Sequence, residues 1–387
     1  MTGTLLVTSG DFGWGAAGKL KLILDHLPGV RAVGVGGDLG RALLGSVDYI
    51  DSTDVGRETL RQVVSSHDVR VALVVGSNDV ARALVSLGTP VVFVDSLPYL
   101  WTVHDNVPTD AAVYCAQACT VLPRLAWPVL AQIQNLRWIE AIVPAPRRCL
   151  GGGGAVLSVG GLHSDSSGDA ADCYVRGVLP AVLEGLAAAG VPVAAVCGYL
   201  DEAQQALIGS LVGSGVQVGP VTPEGFDRLV RSADLLVTSP GSTTLLQAHA
   251  AGQRVLILPP QNVSQVLNAE WFSDGGGDLI RWPAHLFDRG HLDSLRPAGE
   301  ETAVAYMYSV VRTAHRDSSV QSYLRVQAAD LALRVLAEPA DRPHLDLLGS
   351  RGAHQVAHVT RQMLYAPVSP QPRLETDPPG CDDEGEA

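Results

Sequence analysis

The feature that most constrains the fold is a repeated unit. A short apolar run without alternation ends in glycine or serine, and a segment with helical spacing follows. TLLVTSG (4–10), VRAVGVGG (30–37), VRVALVVGS (69–77) and PVVFVDSL (90–97) are such runs. A run that does not alternate is apolar on both faces, as the strands of a parallel sheet are. Between them, AAGKLKLILDHL (16–27), TLRQVVSSH (59–67) and DVARALVSLG (79–88) have helical spacing. Strands alternating with helices predict an open α/β sheet.

The unit stops and then restarts. The stretch 99–142 is rich in aromatics and prolines and is expected to mix loops with helices. IVPAPRRCLGGGG (142–154) has the glycine and proline density of a linker. Beyond it AVLSVGGL (155–162), VPVAAVCGY (191–199), VQVGPVT (216–222), DLLVTSP (234–240) and QRVLILPP (253–260) repeat the strand pattern. A chain of 387 residues is also too long for one ordinary core. The expected division is 1–150 and 151–335 for two Rossmann-like α/β domains and 336–365 for a C-terminal extension. A disordered, acidic, proline-rich tail is expected over 366–387. Open sheets of this kind bind ligands at the carboxyl ends of their strands, so two of them facing each other would form a central cleft.

The composition narrows the partners. The formal charge is −13, with 27 Lys and Arg against 40 Asp and Glu. No basic face is visible, so nucleic acid is not an expected partner. No apolar stretch approaches 18 residues, so no membrane span is expected. MTGTLLVTSG lacks a basic region followed by a long apolar run, which argues against a signal peptide. The cysteines at 115, 119, 149, 173, 197 and 381 lack metal-ligand spacing and read as reduced thiols of a cytoplasmic protein. Cys115 and Cys119, four apart, are expected on one face of a helix. The chain is compatible with a homodimer.

One turn stands out. In DLLVTSPGSTTLLQAHAAG (234–252) a strand passes through SPGSTT into a helix. The first backbone N–H groups of a helix lack internal partners and its dipole favours anions, so a phosphate could sit on Gly241, Ser242, Thr243 and Thr244. Serine and threonine are also ordinary helix starters, and the turn alone leaves both readings open. The glycine loop SGDFGWGAAGK (9–19) leaves the strand as G-D-F-G-W-G, only loosely a dinucleotide fingerprint, and no acid closes the second strand before Asp38, which disfavours a dinucleotide. There is no P-loop motif, no His-Glu-x-x-His and no convincing Asp-x-Asp pair, so neither a resident metal nor another cofactor is expected.

The longer stretch RSADLLVTSPGSTTLLQAHAAGQRVLILPPQNVSQVLNAEWF (231–272) resembles the C-terminal signature of nucleotide-sugar glycosyltransferases of the GT-B fold. The shared pieces are Gly241-Ser242, Ala250-Ala251-Gly252, Val255 to Pro259, Gln265 and Asn268-Ala269. The resemblance implies a UDP-sugar as substrate. Its diphosphate would lie on Gly241 to Thr244, with Gly160 and Gly161 approaching the phosphates. Gly198, Tyr199 and Val221 would border the base, and Gln261, Asn262 and Gln265 would lie near the sugar. Gln247 stands where such enzymes often place a ribose-holding Glu; an amide still donates and accepts but lacks the charge.

With VDSLPYLW (94–101) and the short amino-terminal loop, the whole chain also looks similar to bacterial cytosylglucuronate synthases. That resemblance implies transfer of glucuronate from UDP-glucuronate to N1 of cytosine or hydroxymethylcytosine in nucleoside-antibiotic biosynthesis. The uronate would need a cation, for which Lys19, His249 and Arg254 are available. Asp11, on the first strand-end loop, is the first candidate for the catalytic base, with Asp95 and His104 as alternatives. Ser9, Gly10, Gly13, Trp14 and His163 are expected on the acceptor side. The competing classes are a nucleotide-sugar epimerase and a non-catalytic binding module on the same scaffold.

Overall fold

The computed structural model describes residues 3–10, 14–45, 47–52, 55–119, 128–144, 149–162, 167–274, 278–337 and 349–366. Asp11, Gly13, His163 and the tail beyond residue 366 lie outside them.

The first half runs β1 (Thr4–Ser9), α1 (Trp14–Leu24), β2 (Ala32–Gly36), α2 (Asp38–Leu43), β3 (Asp48–Asp51), α3 (Arg57–Ser66), β4 (Val69–Val75), α4 (Asn78–Ser86), β5 (Val91–Asp95), β6 (Val113–Gln117) and β7 (Leu136–Ile139). All seven strands are parallel, in the order β3-β2-β1-β4-β5-β6-β7. The second half runs β8 (Ala155–Val159), α5 (Ala170–Ala188), β9 (Val193–Gly198), α6 (Glu202–Val212), β10 (Gln217–Gly219), α7 (Pro223–Ser232), β11 (Leu235–Thr238), α8 (Ser242–Ala251), β12 (Val255–Ile257), α9 (Val263–Asp274) and β13 (Asp278–Leu279). Its six parallel strands are ordered β10-β9-β8-β11-β12-β13. Four helices follow among the described residues: α10 (Arg289–Leu295), α11 (Glu300–Arg316), α12 (Ser318–Ala337) and α13 (Gly352–Tyr365).

Both sheets therefore have the doubly wound order, with a switch point between β1 and β4 in one and between β8 and β11 in the other. Burial on both faces explains the unbroken apolar runs. Leu5 and Val7 of β1 pack with Leu20 and Ile23 of α1, whereas Leu6 packs with Leu60 of α3 and Leu84 of α4. In β8, Leu157 faces α5 and α12, and Val156 faces α7 and α8.

Two expectations need correcting. Residues 99–142 do not leave the first sheet but contribute its last two strands, β6 and β7. VYCAQ is short and sits among aromatics and prolines, so its strand signal is diluted; LRWI is an edge strand with two exposed residues. Cys115 accordingly lies in β6 and not on a helix with Cys119. Cys115, Cys173 and Cys197 are free thiols. Among the described residues, no helix is long and apolar enough to cross a membrane.

The expected extension is also more specific than its sequence suggests. Helix α13 returns to the first sheet, where Val356 and Leu364 join the core that holds Leu5 and Leu20. Glu140, just after β7, fixes its start. The carboxylate accepts from the Ser350 and Arg351 amides at 3.0 and 2.8 Å and pairs with the Arg351 guanidinium at 2.8 Å. The Arg351 hydrogen bond, above all, holds the Glu140 carboxyl below the usual carboxylate range. A carboxylate at a helix amino terminus is favoured by the unpaired N–H groups there. At Gly352 the helix touches the 140–142 backbone so closely that a Cβ would collide with Glu140 O. Gly352→Ala should destabilise the protein by about 1–3 kcal/mol. Gly209→Ala in α6, where a Cβ meets nothing within 4 Å, should stabilise it by about 0.5–1 kcal/mol. Urea denaturation of both variants checks the pair.

Candidate functional site

The two switch points face each other, and the site is built from what protrudes there. In the first sheet, the Gly10 amide donates to Val75 O at 2.9 Å, which ties the loop after β1 to the end of β4. Trp14 then opens α1. In the second sheet, Ser239, Pro240 and Gly241 carry the chain from β11 into α8. The N-cap of α8 is Gly241, and among the described residues no side-chain hydrogen bond caps the N–H groups of its first turn. The small Gly15 near the start of α1 lets this turn approach: a Cβ there would stand 3.4 Å from Thr243 Oγ1. Two positive helix ends thus converge across the cleft.

Between them lies Lys19, only 2% exposed. Its Nζ donates to Ser242 Oγ at 3.5 Å, and no carboxylate among the described residues pairs with it within 4.0 Å. Burial pushes the ammonium down to about 8, against the pull of Asp95 in the other direction. Of the three cations considered for a uronate, it is the one at the cleft. His249 packs edge-on against Phe272 with ring centroids 6.1 Å apart, and Arg254 acts on Asp234 at the far end of β11. Sequence reasoning gave Lys19 no position, yet a signal was present: the chain has only two lysines, Lys19 and Lys21. Lys21 pairs with Asp25 on the exposed side of α1 at 2.7 Å.

Asp95, a candidate base, is 2% exposed at the end of β5. It accepts from the Leu97 amide at 2.8 Å, Trp101 Nε1 at 2.8 Å and the Tyr114 hydroxyl at 2.6 Å. Burial pushes its carboxyl up, while these donors and Lys19 pull it down. The geometry makes Asp95 the organiser of the 97–101 loop. From that loop the Tyr99 hydroxyl donates to Asn268 Oδ1 of α9, and Asn268 Nδ2 donates to Pro240 O at 2.9 Å. Tyr99 and Leu100 also join Val263, Val266, Leu267 and Met307 in one buried cluster between the halves. Asp95 thus bears on the SPGSTT turn from the opposite sheet. The sequence motif contained Asn268 but did not suggest this bridge. His104 is exposed and away from these contacts.

At the end of β12, Gln261, Asn262 and Gln265 are all buried. The Gln265 amide donates to Gly160 O at 3.1 Å and its oxygen accepts from the Gln261 amide N–H at 2.9 Å. Gln261 Nε2 donates to Ser239 Oγ at 3.1 Å. These glutamines therefore hold the loops after β8 and β11 in place. Asn262 differs: its oxygen accepts from Ser264 Oγ and the Gln265 amide, but the buried Nδ2 has no partner. It lies beside Gly161, whose φ of +74° and 2.6 Å clearance from its would-be Cβ to Gln265 Nε2 admit only glycine without adjustment. Gly198 ends β9, and a Cβ there would stand 2.6 Å from Val159 O. Tyr199 is 57% exposed, and Val221 and Gln247 are half-buried. Among the described residues, no group of three or more His, Cys, Asp or Glu is placed to hold a metal ion.

The state of Lys19 has a consequence for stability. Below about pH 8 the folded protein holds a dry ammonium that the unfolded chain would hydrate. Between about 8 and the usual 10.5 the unfolded chain binds more protons than the folded one, so stability rises with pH across that window. From pH 7 to pH 10 the gain should be about 2–3 kcal/mol larger in the wild type than in Lys19→Met. Urea denaturation at the two pH values measures it.

The comparisons with known proteins agree with this architecture. The solved structure of Acinetobacter baumannii MurG aligns with a TM-score of 0.52 at 13% identity, over 93% of this chain and 99% of that one. Arabidopsis thaliana UGT89C1 complexed with UDP-L-rhamnose gives 0.52 at 11% identity, over 94% and 100%. The S. aureus MnaA–UDP co-structure gives 0.52 at 12%, over 88% and 100%. These likenesses establish the fold: a GT-B-like pair of Rossmann sheets. No curated protein sequence matches the chain. The sequence profile described as CGA synthase-related protein matches residues 42–274. That match spans more than half of the residues, and the chain belongs to the CGA synthase-related protein family.

Proposed function

We propose that this protein is a cytoplasmic GT-B glycosyltransferase that uses a UDP-sugar without a metal ion. The observation that carries this reading is the uncapped amino terminus of α8, turned toward α1 and Lys19 at the switch points of two Rossmann sheets. In this reading the diphosphate accepts hydrogen bonds from the first N–H groups of α8 and from Ser242, Thr243 and Thr244. Gly160 and Gly161 approach the phosphates, and Gly198, Tyr199 and Val221 border the base. Gln247 faces the ribose. The sugar lies against the Asn262 amide, with Gln261 and Gln265 supporting it. The UDP-bound structures of the same fold support a nucleotide-sugar donor.

The family membership and the resemblance to cytosylglucuronate synthases favour UDP-glucuronate as donor and N1 of cytosine or hydroxymethylcytosine as acceptor. Asp11 takes the N1 proton, and Ser9, Gly10, Gly13, Trp14 and His163 border the acceptor. Nitrogen N1 forms its bond to C1 of the sugar as the bond from C1 to the diphosphate oxygen breaks. Charge develops on the leaving UDP, where fixed donors act without reorganising. Attack from the face opposite the leaving group inverts the anomeric centre.

UDP should raise the thermal midpoint, and Gly241→Trp should abolish that shift. A Cβ at Gly241 meets nothing within 4 Å, so the indole enters ligand space without disturbing the core. Calorimetry showing no heat with millimolar UDP would remove the donor site. Asp11→Asn should lower turnover on the order of 10²–10⁴-fold with UDP affinity little changed. Equal turnover would dismiss Asp11 as the base. Mass spectrometry of UDP-glucuronate incubated with cytosine derivatives, with and without chelator, tests the substrate assignment and the metal-free chemistry.

A further inference from the structure

Lys19 is an unusual charge to bury. It is 2% exposed, has among the described residues one weak hydrogen-bond partner, the Ser242 hydroxyl at 3.5 Å, and faces two converging helix amino termini. Among the described residues, Asp95 is the one charge acting on it, and that charge is negative. The Asp95 oxygens are already engaged by Leu97, Trp101 and Tyr114. A buried ammonium among positive helix ends is destabilising by itself. The chain carries 27 lysines and arginines but only two lysines, so a point charge at this position is also a departure from its own composition. An ammonium is compact with three donors, and a guanidinium could not fill this space in the same way.

We propose that Lys19 is the cation that the first sheet contributes to recognition of the donor diphosphate, donating to the same anion that the α8 amino terminus holds. The inference rests on the UDP-sugar reading for the identity of the anion. It adds a residue from the opposite half of the molecule, so the anion bonds to both sheets at once. Binding the diphosphate then draws the halves together and completes the charge that Lys19 leaves open. A buried donor without a partner, Asn262 Nδ2 (residue 4% exposed), lies by the neighbouring Gly161 loop. It points to the same cleft as the place where a ligand supplies acceptors.

The test compares wild type with Lys19→Met by isothermal calorimetry, using UDP, UDP-glucuronate, uridine and inorganic pyrophosphate as probes. Methionine keeps the apolar stem and removes a buried charge whose desolvation outweighs the pull of Asp95, so the variant should fold and its thermal midpoint without ligand should rise. Its UDP affinity should fall about 10- to 100-fold, as expected for a lost charge-assisted hydrogen bond. Uridine binding should be unchanged. UDP bound equally by both proteins overturns the assignment of Lys19 and leaves the donor reading standing. A loss seen with UDP-glucuronate but not with UDP also overturns it, since the uronate would then be the partner. Pyrophosphate bound by wild type alone, with no UDP binding, supports Lys19 as an anion ligand and overturns the nucleotide reading. No binding of either anion overturns both.

A measurement on the wild type guards against a variant that fails to fold. Asp95 on β5 is the charge acting on Lys19; β1, β4, α2, α8 and α13, which also pack on α1, contribute none among the described residues. At pH 8.5 UDP binding should therefore take up a fraction of a proton, read from the dependence of the binding heat on buffer ionisation enthalpy. A heat independent of buffer overturns the proposal.

Discussion

The structure turns on one electrostatic mismatch: a buried ammonium placed where two helix amino termini converge, with no carboxylate among the described residues in ion-pair contact with it. A fold selected for stability alone would put methionine or leucine at residue 19. The cost is tolerable only if an anion enters, because the same low-dielectric surroundings that penalise an unpaired charge strengthen a paired one. The doubly wound topology makes the arrangement possible. Each sheet presents helix amino termini at its switch point, and turning the two sheets toward each other brings α1 and α8 together.

Most polar side chains at the cleft have structural partners, and this sharpens the roles of those that do not. Asp95 shapes the 97–101 loop, Tyr99 reaches Asn268, and Asn268 holds Pro240, so the first sheet fixes the turn that starts α8 in the second. Gln261 and Gln265 pin the loops after β8 and β11. The uncapped N–H groups of α8, the Asn262 amide and Lys19 are the donors left over. Preorganisation of this kind is what a leaving diphosphate requires, since donors already aimed at it need no rearrangement as charge develops.

Much of this was legible in the sequence because parallel strands advertise themselves. The nine unalternated apolar runs became β1, β2, β4, β5 and β8 to β12, and the turn at 240–244 opened a helix as its residues implied. The short or polar strands escaped. DYID and LRWI are partly exposed edges, DL is a two-residue strand, and VYCAQ is masked by aromatic and proline neighbours. Gly352 and Glu140 could not be paired from sequence either, because nothing local records that the last helix returns to the first sheet. The site followed the same rule. Motifs within one stretch, such as 231–272, could be read directly. Contacts across the cleft, such as Lys19 with Ser242 and Tyr99 with Asn268, join residues far apart in the chain and appear only once both halves are folded.

The most direct test of the central claim uses the scarcity of lysine. Protein labelled with ¹³C-lysine should show two side-chain signals, from Lys19 and Lys21, and each can be followed through a pH titration with and without UDP. The account predicts that the Lys19 signal titrates near pH 8 in the free protein and moves to higher pH when UDP is bound. A Lys19 signal that titrates near the ordinary lysine value and is not shifted by saturating UDP would contradict it.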